Sequence, residues 1–200
     1  GLGDVYKRQL RALGLENTFM ATPYDTEALP RTYSTPANSR KDNSTLPDQH
    51  MQTTAKDIGL ILEWIVQCSE GGGTLLAAYP DQLTADECKQ MLEFLALNKK
   101  GILLETGAPP EARLVHKHGF VDDSHGDVAA AWSPAGPYIV SVFIWKNGWV
   151  EWPISSSLMA DVSKAAWDYF TLVANGGQPP TVPPPGEQTP PKPIPTIETP

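Results

Sequence analysis

Cysteine is almost missing from this 200-residue chain, which carries only Cys68 and Cys88. Two cysteines cannot make a disulfide-rich scaffold, so a domain of this length must rely on a buried apolar core. Basic residues are also scarce. Fifteen Lys and Arg stand against twenty-three Asp and Glu, for a net charge of −8. That balance argues against a nucleic-acid partner, whose phosphates call for basic surface. No run of about eighteen apolar residues occurs, so no membrane-spanning segment is expected. A charged-then-apolar leader is missing too, but its absence carries no weight. Residues 1–9, with Gly3-Asp4-Val5-Tyr6-Lys7-Arg8-Gln9, read as an artefact resembling a translated sequencing adapter. The chain is expected to start within a domain at about Leu10.

Proline is present but unevenly spread. Half of the twenty prolines fall between Gln178 and Pro200, where apolar side chains are few. Such a segment has nothing to bury and predicts an extended tail or linker over 176–200. The domain proper is therefore expected over residues 10–175.

Leu10–Leu15 reads as a helix end stopped by Gly14. Residues 16–52 hold many turn formers and little periodicity, an unusual length of loop that marks a functional candidate. Thr54 with Asp57 forms an acidic capping box, and Ile58, Ile61, Leu62 and Ile65 mark one helical face up to about Cys68. Gly71-Gly72-Gly73 lacks the lysine and hydroxyl residue of a phosphate loop and reads as a linker. Thr84 and Glu87 open a second helix, with Cys88, Met91, Leu92 and Leu95 facing inward. Cys68 and Cys88 thus sit on neighbouring helices, either bridged or as two buried thiols. A bridge would imply an oxidising compartment.

Strands are predicted at about 113–118, 127–133 and 138–145, the last an apolar run suggesting burial on both faces. Ser133–Pro137 is a hairpin turn. A final helix is expected after Pro153, capped by Ser155, Ser156 or Ser157. Its apolar face would be Leu158, Met159, Val162, Ala166, Tyr169, Phe170 and Val173. Trp149, Trp152 and Trp167 are read as core and rim residues.

The first of these strands carries the chemistry. Lys117 offers a point charge, and Gly119 lets a ligand approach the backbone, a combination suited to gripping a carboxylate. Alternation places Lys117 on one face and His118 on the other. His116 and His118 share a face with metal-like spacing, and His125 and Asp127 could add ligands. The lysine between the histidines argues against it, so no metal and no cofactor are expected.

The order of these motifs resembles the C-terminal half of the class A β-lactamase-like serine hydrolases. The likeness rests on Leu13–Thr18, Thr53–Ile58, Val115–Gly119 and Gly126-Asp127-Val128, within about residues 10–174. It implies an α/β (α+β) fold, an antiparallel sheet flanked by helices, truncated at its N-terminus. These enzymes use a Ser-x-x-Lys nucleophile, a Ser-Asp-Asn loop and a Lys-Thr-Gly strand. Lys117-His118-Gly119 matches the third, with histidine replacing the hydroxyl residue, and by resemblance these three would bind substrate. Ser-x-x-Lys and Ser-Asp-Asn do not occur in the sequence. The chain by itself is therefore expected to be inactive.

Aligning Gly14 brings Tyr24 near the family's deacylating glutamate. Asp25 and Glu27 follow as alternative loop acids for activating water. The implied ligand is a β-lactam or a cell-wall-peptide-like molecule, processed through an acyl-enzyme by a larger parent protein. The rival is a degenerate, non-catalytic domain that binds wall peptide. An extracellular or cell-envelope location is expected, with the proline-rich tail as a spacer to a wall or surface.

Overall fold

The computed structural model describes residues 2–21, 33–41, 48, 50–98 and 101–178. Helix α1 spans Leu2–Ala12. It ends where Gly14 takes a φ of +85° and the Leu15 amide donates back to the Leu10 carbonyl at 2.9 Å. This αL closure turns the fully buried Leu15 into the core. Strands β1 (Phe19–Met20) and β2 (Met51–Gln52) pair antiparallel and so close the neck of the long 16–52 segment.

Helix α2 (Ala55–Ser69) starts at Thr54, whose hydroxyl accepts from the Asp57 amide. Helix α4 (Ala85–Ala96) has the complete reciprocal capping box of Thr84 and Glu87. Between them the glycine triplet does more than link. Gly73, at a φ of +83°, opens a six-residue helix, α3 (Gly73–Ala78). A disulfide joins Cys68 in the last turn of α2 to Cys88 in the first turn of α4, with Cα atoms 5.8 Å apart. Cys88 and Leu92 are buried, but Met91 points outward at 37% exposure, one position off the α4 contact stripe.

Strands β3 (Arg113–Val121), β4 (Ser124–Ser133) and β5 (Gly136–Trp145) form one antiparallel sheet in that order. The register pairs Lys117 with Val128 and His118 with Asp127. One face of the sheet carries Val115, Val128 and Ala130 onto Leu62 and Val66 of α2 and Leu92 of α4. The other carries Leu114, Ala129 and Ala131 onto Leu103, Leu104 and Met159. Leu103–Gly107 is a 3-10 helix, and Met159 belongs to α5 (Trp152–Ala174). The fold is the expected antiparallel sheet flanked by helices.

Three local expectations are corrected. The first hairpin turns on Asp122-Asp123 alone, and β4 begins at Ser124, not near Asp127. The polar run 124–126 is expected outside the strand, yet His125 is buried there and bonded to Ser155 of α5, and Asp127 is buried and bonded to His116 of β3. The strand buried on both faces is the alanine-rich β4, in the middle of the sheet. The apolar β5 lies at its edge, with Phe143 46% exposed. Helix α5 starts earlier than expected, with Glu151 as its N-cap, so the three serines lie inside the helix.

Its contact face also differs from the apolar stripe. Ser155, Met159 and Ser163 are buried, whereas Leu158 and Val162 are 49% and 43% exposed. Backbone proximity explains the choice. A Cβ on Gly107 would come within 2.0 Å of the Ala160 carbonyl oxygen, so only small residues fit where α5 meets the 3-10 helix.

Gly107→Ala should therefore destabilise the protein by about 1–3 kcal/mol through overpacking against a backbone that cannot move aside. Gly119→Ala is the control, because a Cβ there meets nothing within 4 Å. Urea midpoints of the two variants measure the contrast. Reducing the bridge between Cys68 and Cys88, which closes a loop with a sequence separation of 20, should cost about 3 kcal/mol. Urea midpoints with and without reductant give that value.

Candidate functional site

The site is built on the end of β3 that precedes the Asp122-Asp123 turn. β3 is an outer strand of its sheet, so the backbone groups of His116, His118 and Phe120 point away from β4. The His116 carbonyl accepts from Asn98 Nδ2 at 3.1 Å, and the His118 carbonyl accepts from the Lys117 ammonium. Lys117 is exposed and lies on the α2/α4 side, and Gly119 is exposed beside open space. His118 is half-buried on the opposite face. The expected split of Lys117 and His118 between two faces therefore describes the structure. Asp25, Glu27 and Tyr24 lie outside the described residues.

Beneath His118 lies a polar cluster built on His116 and Asp127, two of the residues weighed above as metal ligands. Asp127, 1% exposed, reaches across from β4. Both of its carboxylate oxygens are 3.0 Å from His116 Nδ1, and Oδ2 also accepts from the Leu104 amide at 3.2 Å. His116 Nε2 lies 2.6 Å from the Asn98 carbonyl oxygen and 3.7 Å from the Glu105 carboxylate. Burial opposes charge on His116. Hydrogen bonding to Asp127, that residue's charge, the Asn98 carbonyl and Glu105 outweigh it, and the net direction is a raised pKa. With both ring nitrogens engaged, His116 is not arranged as a metal ligand. Among the described residues no group of three or more His, Cys, Asp or Glu side chains could hold a metal ion.

The Leu104 amide is aimed at Asp127 by an unusual backbone. Leu103, fully buried, is the one non-glycine residue with positive φ (59°) among those described. Its amide donates to Ser156 Oγ at 3.0 Å. Two hydrogen bonds from neighbouring amides, one to α5 and one to β4, hold this strained turn in place.

A second histidine on the same face behaves in the opposite way. Ser155 Oγ shares a 2.7 Å hydrogen bond with His125 Nδ1 and lies 3.2 Å from the Trp152 carbonyl oxygen. The His125 ring lies against Trp152, with centroids 4.2 Å apart. Burial among these neutral partners lowers its pKa. Trp152 packs inside the protein, as expected, and Trp149 is 54% exposed.

A further polar cluster ties the long segment to α2. Asp57, 3% exposed, accepts from the Asn17 amide at 3.0 Å and the Thr18 hydroxyl at 2.8 Å. Because the Thr18 hydrogen goes to the carboxylate, Thr53 donates to Thr18 Oγ1 across 3.0 Å. Gln52 adds a bond from its amide nitrogen to the Asn17 carbonyl at 2.8 Å. The two sequence motifs Leu13–Thr18 and Thr53–Ile58 are thus halves of one anchor. A separate shallow pocket, lined by Lys89, Glu93, Arg113 and Trp132, sits at the far end of β3 from Lys117 and is not part of this site.

The two histidines give stability opposite dependences on pH. His116, raised when folded, stabilises fully below the unfolded value of about 6.5, and this is lost as pH rises through its folded value. His125, lowered when folded, stabilises above about 6.5, and this is lost as pH falls below that value. Urea unfolding of His125→Gln and His116→Gln across pH 5 to 9 should show the acid-side slope flattened in the first and the alkaline-side slope flattened in the second.

Comparison with known proteins places the chain. A family described as the Beta-lactamase enzyme family matches residues 3–170. No curated protein matches it. Among solved structures, that of PBP-A is 20% identical, with a TM-score of 0.56, over 82% of this chain and 49% of that one. A β-lactamase from Sphaerobacter thermophilus is 18% identical with a TM-score of 0.57, covering 85% and 54% of the two chains. The class A β-lactamase of the last common ancestor of Gram-negative bacteria is 19% identical with a TM-score of 0.55, covering 82% and 53%. The chain spans about half the length of these structures, and at such identities the likeness is one of fold. Among the described residues no helix is long and apolar enough to cross a membrane. The match of the family over most of the chain shows that this protein belongs to the β-lactamase enzyme family.

Proposed function

We propose that the chain is the C-terminal portion of a serine β-lactamase-like hydrolase that acts on β-lactams or related amides through an acyl-enzyme. One observation carries the reading. An exposed ammonium, Lys117, stands near Gly119 on β3, an outer strand of its sheet, and a Cβ on Gly119 would meet open space. A ligand carboxylate placed there pairs with Lys117, and its amide can lie along the strand and bond to edge-facing backbone groups. A point mutant of PBP-A, similar in fold, has been captured as an acyl-enzyme complex with penicillin G.

No Ser-x-x-Lys occurs in the sequence, so the nucleophile belongs to polypeptide outside it. This observation also favours a second reading, in which the domain binds a wall peptide without turnover. The disulfide supports an oxidising extracellular or cell-envelope location. In the same reading the proline-rich segment, beyond the described residues, acts as a spacer.

A fluorescent penicillin separates these readings. The 200-residue chain should show no covalent band. The gene product extended upstream should label, and should stop labelling when its motif serine becomes alanine. Lys117→Ala in that product should slow labelling by roughly a hundredfold, as expected for loss of a preorganised charge contact. Reversible binding with no covalent band in the extended, folded product favours the peptide-binding domain.

A further inference from the structure

His116 meets two partners that can only accept. Asp127 presents a carboxylate to Nδ1 at 3.0 Å, and Asn98 presents a main-chain carbonyl to Nε2 at 2.6 Å. A neutral imidazole has one N–H and would turn a lone pair toward one of these oxygens. A doubly protonated ring satisfies both.

Asn98 in turn holds the strand from its other end. Its Nδ2 donates to the His116 carbonyl at 3.1 Å and lies 3.2 Å from His118 Nδ1. An amide nitrogen can only donate, so His118 Nδ1 accepts, and a neutral His118 carries its proton on Nε2. Asn98 thus holds β3 at His116 and His118, the residues on either side of Lys117. Charged and titratable groups facing the His116 ring, among the described residues, are Asp127 from β4, Glu105 from the 3-10 helix and His118 from its own strand.

We infer that His116 is a buried imidazolium, paired with Asp127, that locks Asn98 onto β3 and so positions Lys117-His118-Gly119 and selects the His118 tautomer. His116, 1% exposed, acts here as a positioning residue. Its charge has a direct consequence for His118. The two rings lie 6.0 Å apart, so a proton added to His118 Nδ1 meets both a like charge and the Asn98 amide hydrogen. While His116 keeps its proton, both contacts disfavour that second proton on His118. The value of this latch for catalysis rests on the hydrolase reading proposed above, but its chemistry does not.

The chain has four histidines, which makes the test direct. Nitrogen-15 NMR of the ring nitrogens in the full 200-residue protein, assigned by single His→Gln replacements, reads protonation at each site. At pH 7 His116 should show two protonated nitrogens, and His118 an unprotonated Nδ1 with a proton on Nε2. His116 should titrate above the ordinary histidine value of about 6.5. Asp127→Asn should move that midpoint downward, and Asn98→Ala should release His118 into a mixture of tautomers. A single protonated nitrogen on His116 at pH 7, or a midpoint at or below the ordinary value, overturns the inference. The wild-type spectrum decides this even if a variant does not fold. In the upstream-extended protein, penicillin labelling should fall with an alkaline limb that follows His116 deprotonation. Failure to label at all defeats the hydrolase reading while leaving the ring protonation measured by NMR intact.

Discussion

A carboxylate buried in the middle of a sheet must find donors, and Asp127 finds them on two other elements of the fold. From β4 it takes the His116 ring on β3 and the Leu104 amide of the 3-10 helix. Through His116 it reaches Asn98 at the end of α4. Burying a charge without such partners is far too costly for a domain of this size. The edge strand, the strained Leu103 turn and the end of α4 are consequently held in one arrangement. The candidate ligand segment sits directly on it.

Two histidines on the same face show how local partners decide protonation. His116 faces a carboxylate and a carbonyl and favours the charged ring. His125 faces a neutral serine hydroxyl, next to Trp152, and favours the neutral one. Neither is distinguished by its surroundings in sequence. Their difference comes from what β4, the end of α4 and the 3-10 helix bring to one ring and α5 brings to the other.

The opposite side of the molecule is secured by a matching device. Asp57 at the start of α2 binds both Asn17 and Thr18, and the β1–β2 pair closes next to it. The long segment between is thereby rooted at both ends in the same cluster. With the disulfide tying α2 to α4, the helical layer is fixed against β3, and Lys117 is displayed beyond its end. The fold shared with β-lactamases and PBP-A is thus maintained here by a few buried polar contacts in addition to two apolar clusters.

Local chemistry alone was enough to read Thr54 and Thr84 as helix starts, Gly14 as a helix stop, and Lys117 and His118 as residues of opposite faces. Each of these depends on neighbours within four positions along the chain. The order of motifs was also sufficient to identify the family. Other features required the tertiary structure. His125 fell outside the predicted strand, and the buried pairing of Asp127 was not foreseen, because their partners, Ser155 and His116, are brought to them only by the sheet register and α5. Helix α5 buries Ser155, Met159 and Ser163 instead of its largest apolar side chains, because Gly107 brings two backbones into near contact. Periodicity records which residues are apolar. Close packing and the need to satisfy buried polar groups determine which of them face inward, and those constraints exist only once distant segments meet.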